Sequence, residues 1–263
     1  MGSATTQALA GTTAALGSAS GVDIDVAREL FAAARSVGDT SALSGALADS
    51  AAASAARAKV VADVFGAALR PVSVSLLTAA VSERWSSASD MVDGLEELAI
   101  RAAAVAEPAA PVEDELFRFT RTVAENPELE LALGSRLGDA SAKGALVDTL
   151  LTGRSSEAAR LIVSSLVQQP RERRVRQLVA NAMRVVADQR GRTVATVSSA
   201  APLSDAQVQR LSATLSKRYG TEVAINTVVD PAVIGGVRVQ IANDVIDASV
   251  STRLAELRQR LAG

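Results

Sequence analysis

The 263-residue sequence contains no cysteine and no histidine. Their absence removes thiol nucleophiles, disulfides, Cys/His zinc sites, Ser-His-Asp triads and the commonest general base. Catalysis would fall to carboxylates, arginines or the three lysines, Lys59, Lys143 and Lys217; no catalytic residue, cofactor or metal ligand is expected. Aromatic residues make up only 2% of a chain that is 48% hydrophobic. Alanine and aliphatic side chains supply the difference, which favours closely packed helices over an aromatic-studded β-sandwich. No apolar run reaches the roughly 18 residues that would cross a bilayer. The uncharged segment 1–21 lacks the basic start and apolar core of a signal peptide, so the expectation is a soluble, cytoplasmic protein.

What is present is unevenly distributed. The net charge of −2 conceals 13 basic and 21 acidic residues over positions 1–168 against 10 and 3 over 169–218. Such polarity suits a protein that docks different partners at its two ends.

Self-comparison shows a repeat. "ELFAAARSV" begins at Glu29 and "ELFRFTRTV" at Glu115, 86 residues later. At the same interval "LSGALAD" from Leu43 meets "LELALGS" from Leu129, "RAKVVADVF" from Arg57 meets "KGALVDTLL" from Lys143, and "LLTAAV" from Leu76 meets "IVSSLV" from Ile162. The spacing of apolar residues in each copy predicts short amphipathic helices closed by a longer one. Pro71 suits a first helical position, and Glu113, Asp114 and Glu115 crowd the start of a helix, where the macrodipole favours negative charge. The stretch 107–111, "EPAAP", reads as a linker, and Trp85 as a core anchor or interface residue. The predicted organisation is a flexible or partly helical segment over 1–21, one helical bundle over 22–106 and its repeat over 112–190.

After Gly191 the period changes to two. "RTVATVSSA" predicts a strand, "SDAQVQRLSATLSKRYG" a helix capped by Ser204 and stopped by Gly220, then "EVAINTVV", "GVRVQI" and "VIDAS" further strands, with a turn at Asn243-Asp244. Val250, Leu254, Leu257 and Leu261 mark a closing helix. Residues 191–263 are thus a small α/β domain with a β-hairpin, and the fold class is mainly α: tandem short-helix bundles followed by that domain. "DPAVIGGVRV", from Asp230 to Val239, places Gly235 and Gly236 just before a strand. A phosphate loop would continue into Lys-Ser/Thr and a helix, whereas Val237-Arg238-Val239 follows here. The glycines are read as positions of positive φ or close backbone approach.

Residues 228–261 resemble the C-terminal signature of the F-type ATP synthase delta subunit family, the bacterial counterparts of mitochondrial OSCP. The matching positions are Asp230, Pro231, Val233, Ile234, Gly235, Gly236, Asp247, Ser249 and Leu254, with Ala248 where the family usually has glycine. "ARELFAAA" from Ala27 is similar to the opening helix of the family's bundle, and the chain resembles a long form in which that bundle is duplicated. The resemblance implies a stator subunit with no chemistry of its own, one copy per complex. It would link N-terminal segments of alpha subunits to the b subunits on the cytoplasmic side of the bacterial plasma membrane, meeting the membrane only through the complex. Candidate groove residues for the alpha segments are Ala27, Leu30, Phe31, Leu116, Phe117 and Phe119; the candidate b dock is Val250, Leu254, Leu257 and Leu261. The alternative is a nucleic-acid-binding adaptor using Arg171–Arg176 and Lys217–Gly220, against which stands the lack of stacking aromatics beyond Tyr219.

Overall fold

The computed structural model describes residues 2–135, 138–171, 173–241 and 244–247. The chain forms two compact units, Met1–Val186 and Ala187–Gly263, the first helical and the second built on a small sheet.

In the helical unit α1 (Ser3–Ser18) is followed by α2 (Ile24–Asp39), α3 (Ser41–Ala48), α4 (Ser54–Phe65), α5 (Pro71–Ser82) and α6 (Ala88–Ala106). Then come α7 (Val112–Glu125), α8 (Pro127–Gly134), α9 (Ala140–Leu151), α10 (Glu157–Gln168) and α11 (Val175–Gln189). The sequence sets many of the helix starts locally. Side chains of Asp23, Ser87, Asp139 and Ser156 accept from backbone N–H groups of the first turn, which water would otherwise have to satisfy. Pro71 and Pro127 begin α5 and α8, positions where a missing N–H is harmless.

Both ends of α3, α4 and α5 recur 86 residues later as the ends of α8, α9 and α10. The start of α11 lies 87 after that of α6, one residue having been added in the connection. The buried residues of both sets belong to a single hydrophobic cluster running from Ala8 to Val186. The helices on either side of 107–111 therefore share one core.

Helix α6 explains how. From Met91 to Ala104 every residue except Asp93 is buried. It packs against α1, α2, α3 and α5 and also against α10. Since α1 likewise packs against α5, α6 stands to α10 much as α1 stands to α5. It is the last helix of one set and the opening helix of the next. A helix enclosed on all sides must neutralise its own charges: Arg101 Nε and Nη2 donate to Glu97 Oε1 at 3.0 and 2.7 Å, one turn apart. Helix α1, by contrast, buries only Thr5, Ala8, Thr12 and Leu16, and its outer face carries no charge over residues 3–18.

The second unit holds β1 (Arg192–Ser199), α12 (Asp205–Tyr219), β2 (Glu222–Val229), β3 (Val237–Ile241) and β4 (Asp244–Asp247) in the sheet order β2-β1-β3-β4. β1 and β2 are parallel, as a helical crossover requires, and β3 pairs antiparallel with both β1 and β4. Alternation puts Ala195, Val197, Val223, Val239 and Ile241 in one apolar cluster with Leu215 of α12. Helix α12 opens on a reciprocal capping box between Ser204 and Gln207 and stops at Gly220, φ 73°. Ser212 Oγ donates to the Val223 carbonyl at 2.6 Å and Val223 N donates to Ser216 Oγ at 2.8 Å, which pins the helix to β2. The mainly α class with a small mixed-sheet unit and an antiparallel hairpin is what the sequence pattern predicts. Asn243 and the predicted closing helix lie outside the described residues.

Candidate interaction sites

The predicted groove residues lie deeper than a groove requires. Ala27, Leu30 and Leu116 are fully enclosed, and Phe31 and Phe119 are only 3% and 4% exposed; Phe117 is half-buried. Packed into the core, these side chains shape the helical surface from beneath. Trp85 is also core: its Nε1 donates to the Ala80 carbonyl at 2.8 Å, and its ring presses on Gly94, where a Cβ would come within 2.0 Å of it.

One polar arrangement occurs twice. Glu29 on α2 accepts the Arg70 backbone N–H at 3.1 Å, the Arg70 Nε at 3.0 Å and the Ser73 hydroxyl. Glu115 on α7, 86 residues on, accepts the Ser156 backbone N–H at 3.0 Å and the Ser156 hydroxyl. Arg70 and Ser156 are the N-cap residues of α5 and α10, so in each set a carboxylate of a neighbouring helix closes the start of the corresponding helix. Burial pushes the Glu29 carboxyl up, but the hydrogen bonds from Ser73 and Arg70 outweigh it and hold the group below the usual glutamate value.

The basic run at 171–176 is engaged within the chain. Arg171 reaches Asp93 at 2.6 Å and Glu96 at 3.0 Å, Arg173 grips both oxygens of Glu96 at 2.8 Å, and Arg176 meets Glu130 at 2.9 Å. Asp93 is pushed above the usual aspartate value by burial, which the two arginines only partly oppose. Arg174 is exposed. At the other basic segment the Arg218 guanidinium lies 5.9 Å from the Tyr219 ring centre.

Among the described residues, the clefts of the helical unit include two that are larger and more open than a third lined by α1, α6 and Arg173. One, of about 460 Å³, separates α2 from α10, with Arg28 and Arg35 on one wall and Arg160, Ser164, Ser165 and Gln168 on the other. The second, of about 440 Å³, lies where α8 meets the start of α11 and includes Leu131, Arg173 and Arg174; Leu131 is 75% exposed. No feature of the sequence pattern singles out either cleft, because each joins residues more than 40 positions apart.

In the sheet unit the signature residues build a turn. Asp230 N donates to the Ser199 carbonyl at 2.8 Å, the Asp230 carboxylate accepts Ala232 N at 2.9 Å, and its carbonyl accepts Val233 N at 3.0 Å. Gly235 and Gly236 have φ of 67° and 79°, values at which a Cβ is strained. The loop thereby carries the chain from β2 past β1 to β3. Asp247 ends β4 at the surface. Ser249 and the predicted dock residues Val250, Leu254, Leu257 and Leu261 lie outside the described residues.

Fold and surface define a mainly α protein with a small mixed-sheet unit, offering clefts between helices. Among the described residues there is no group of three or more side chains suited to hold a metal ion, and no helix long and apolar enough to cross a membrane. The model of the ATP synthase delta (OSCP) subunit family matches residues 99–261. That match starts inside α6 and covers α7–α11 and the sheet unit, leaving α1–α5 outside it. An ATP synthase subunit delta of Leifsonia xyli subsp. xyli is 47% identical over 265 residues, covering all of both chains. Subunits of the same description from Streptomyces avermitilis and Kineococcus radiotolerans are 43% and 42% identical, over 72% and 73% of this chain and 71% of each relative. The chain belongs to the ATP synthase delta (OSCP) subunit family. It is by that membership an accessory subunit of the ATP synthase, a membrane-associated complex.

Proposed function

We propose that the chain is a stator linker, binding N-terminal segments of alpha subunits through its helical unit and the b subunits through residues 230–261, so that the catalytic hexamer does not turn with the central shaft. The observation that carries this reading is the family match over 99–261 together with a relative alike along its whole length. One copy per complex at the cytoplasmic face of the bacterial plasma membrane, and a tandem duplication of a helical bundle over 22–106 and 112–190, belong to the same proposal. The 86-residue recurrence of helix ends and of the Glu29 and Glu115 caps supports the duplication.

The two sets differ in what they leave open. α6 is enclosed, whereas α1, its counterpart, shows solvent an uncharged face beside α5. The surface we assign to the alpha segments is accordingly the outer face of α1 beside α5, where an amphipathic segment would bury apolar area without stranding a charge. The arginines on which a nucleic-acid adaptor would rely at 171–176 are largely paired with Asp93, Glu96 and Glu130, which removes the charge that such a role needs.

The test is binding of labelled alpha N-terminal and b C-terminal peptides to the purified chain. Ala10→Arg on the outer face of α1 is expected to abolish alpha-peptide binding with helicity unchanged, and a charge at Leu254 or Leu257 to abolish b-peptide binding alone. Wild-type-like binding of both peptides to these variants would sink the assignment of the two surfaces.

A further inference from the structure

The cleft between α2 and α10 contains an arginine whose guanidinium is not hydrogen-bonded, the charge acting on it being Asp39 one turn along the same helix. Arg35 Nη1 is buried with no hydrogen-bond partner, and among the described residues its guanidinium makes neither a hydrogen bond nor an ion pair. Arg57, Arg70 and Arg171 also have one buried nitrogen lacking a partner, but each is engaged through its other nitrogens. The fork of donors that a guanidinium presents is shaped for a planar oxyanion.

The other charges of the cleft are already matched. Arg28 bridges Asp25 and Glu157, the latter at 2.7 Å. Arg160 lies 3.8 Å from Asp148 and 4.0 Å from Glu157 and donates to Thr152 Oγ1 at 3.3 Å. Asp39, one turn beyond Arg35, accepts a hydrogen bond from Gln169. Of the charged residues lining the cleft, three are arginines and two are carboxylates, and Asp25 and Asp39 face Arg28 and Arg35 from beside it; what distinguishes Arg35 is that its donors are unbonded. Burial pushes the Arg35 guanidinium below the usual arginine range, with Asp39 only partly opposing.

The rest of the lining narrows the chemistry. A dianionic phosphate would find one guanidinium with unbonded donors and meet Glu157 and Asp148 across the cleft. Among the described residues, a nucleotide would find Leu161 as the only apolar wall residue and no ring to stack on. Ser164 and Ser165 are 6% and 5% exposed, and with Gln168 they line the α10 wall with polar groups. The volume of about 460 Å³ is several times that of a carboxylate group, so the acid arrives with neighbouring chain attached.

We propose that this cleft is a docking site for a partner-protein segment that inserts one Asp or Glu side chain, its carboxylate taken by the Arg35 guanidinium and its flanking polar backbone by the serine- and glutamine-lined wall of α10. The inference rests on the reading of the chain as a subunit of a complex. It assigns a function to the seam between the two helical sets, since neither set alone has both walls.

The test uses the full-length chain labelled with 15N and follows the Arg35 side-chain Nε–Hε resonance. Probes are the blocked tripeptide Ac-Ala-Glu-Ala-NH2, its glutamine counterpart, acetate and inorganic phosphate, all at one ionic strength. The glutamate peptide is expected to shift the resonance saturably and to bind at least tenfold more tightly than acetate, with the glutamine peptide giving no shift. Arg35→Gln is expected to weaken binding at least tenfold, and Arg35→Lys, which keeps the charge but loses the fork, by less; thermal melting checks that both variants are folded. Phosphate binding more tightly than the peptide would overturn the carboxylate assignment. Acetate equal to the peptide would replace the partner segment with a free small acid, and no saturable shift with any probe would eliminate the site. Binding of the alpha and b peptides in the Arg35→Gln variant is a separate readout, so failure here leaves the stator reading standing or falling on its own.

Discussion

The two helical sets keep the same skeleton and differ in how their last helix is anchored. In the first, the connection from α5 to α6 places Trp85 over Gly94, an apolar wedge on a bare backbone. In the second, the position 86 after Trp85 is Arg171, and the anchor is an ionic clamp of Arg171 and Arg173 on Asp93 and Glu96 of α6. Arg171 has φ 45°, the one non-glycine residue with positive φ among those described, a conformation that surrounding contacts must maintain. The contrast teaches that a repeated helix pattern specifies the packing stripe but not the fastening. Within one shared core, the first set fastens its last helix with an apolar wedge, while the second is tied to the first by an ionic clamp.

The largest effect should come from what the sets have in common. Leu30→Ala and Leu116→Ala, 86 residues apart and both fully buried, should each destabilise by about 2–5 kcal/mol. Because both lie in one hydrophobic cluster, calorimetry should show the whole helical unit melting in one lowered transition; a second transition within residues 1–186 would break the shared core. Next comes the wedge. Gly94→Ala should cost about 1–3 kcal/mol by overpacking against Trp85, whereas Asn181→Ala, 87 residues later and exposed, should stay within about 0.5 kcal/mol; equal effects in chemical denaturation would erase the difference in anchoring.

The repeated caps sharpen the comparison at lower cost. Glu29→Gln and Glu115→Gln should each lose about 1–2 kcal/mol, since a charge-assisted bond to a helix N-terminus is weakened in both. For Glu29 the folded group titrates below its ordinary value of 4.5. Its contribution is therefore present above that pH and lost as pH falls through the folded value. Melting curves of the wild type and Glu29→Gln should converge in acid, and a gap that widened there would refute the cause given. Smallest of all, Lys59→Ala removes an exposed pair with Asp63 at 3.0 Å and should change stability by no more than about 0.5 kcal/mol.

Much of the architecture was readable from local patterns. The 86-residue interval, Pro71 as the opening of α5, Ser204 and Gly220 bounding α12 and the positive φ of Gly235 and Gly236 all rest on residues adjacent in sequence. Residues 1–21 were harder, because an Ala/Thr/Gly helix with no charged face has no amphipathic period to betray it. The sites were harder still. Leu30, Phe31, Leu116 and Phe119 lie on apolar stripes that would look the same facing a core or a partner, and burial assigns them to the core. The run 171–176 reads as a free basic patch until Asp93 and Glu96 are found beside it.

By itself the sequence determined the helices, their caps, the change to a strand period after Gly191 and the turn at Asp230–Gly236. Each of these follows from backbone preferences and from apolar spacing within a few residues. Tertiary structure alone decided that α6 serves both sets, that the arginine run is a clamp and that the Arg35 guanidinium stands unbonded in a cleft. Charge pairing and burial depend on which surfaces meet, and those surfaces are brought together from positions up to about 130 residues apart.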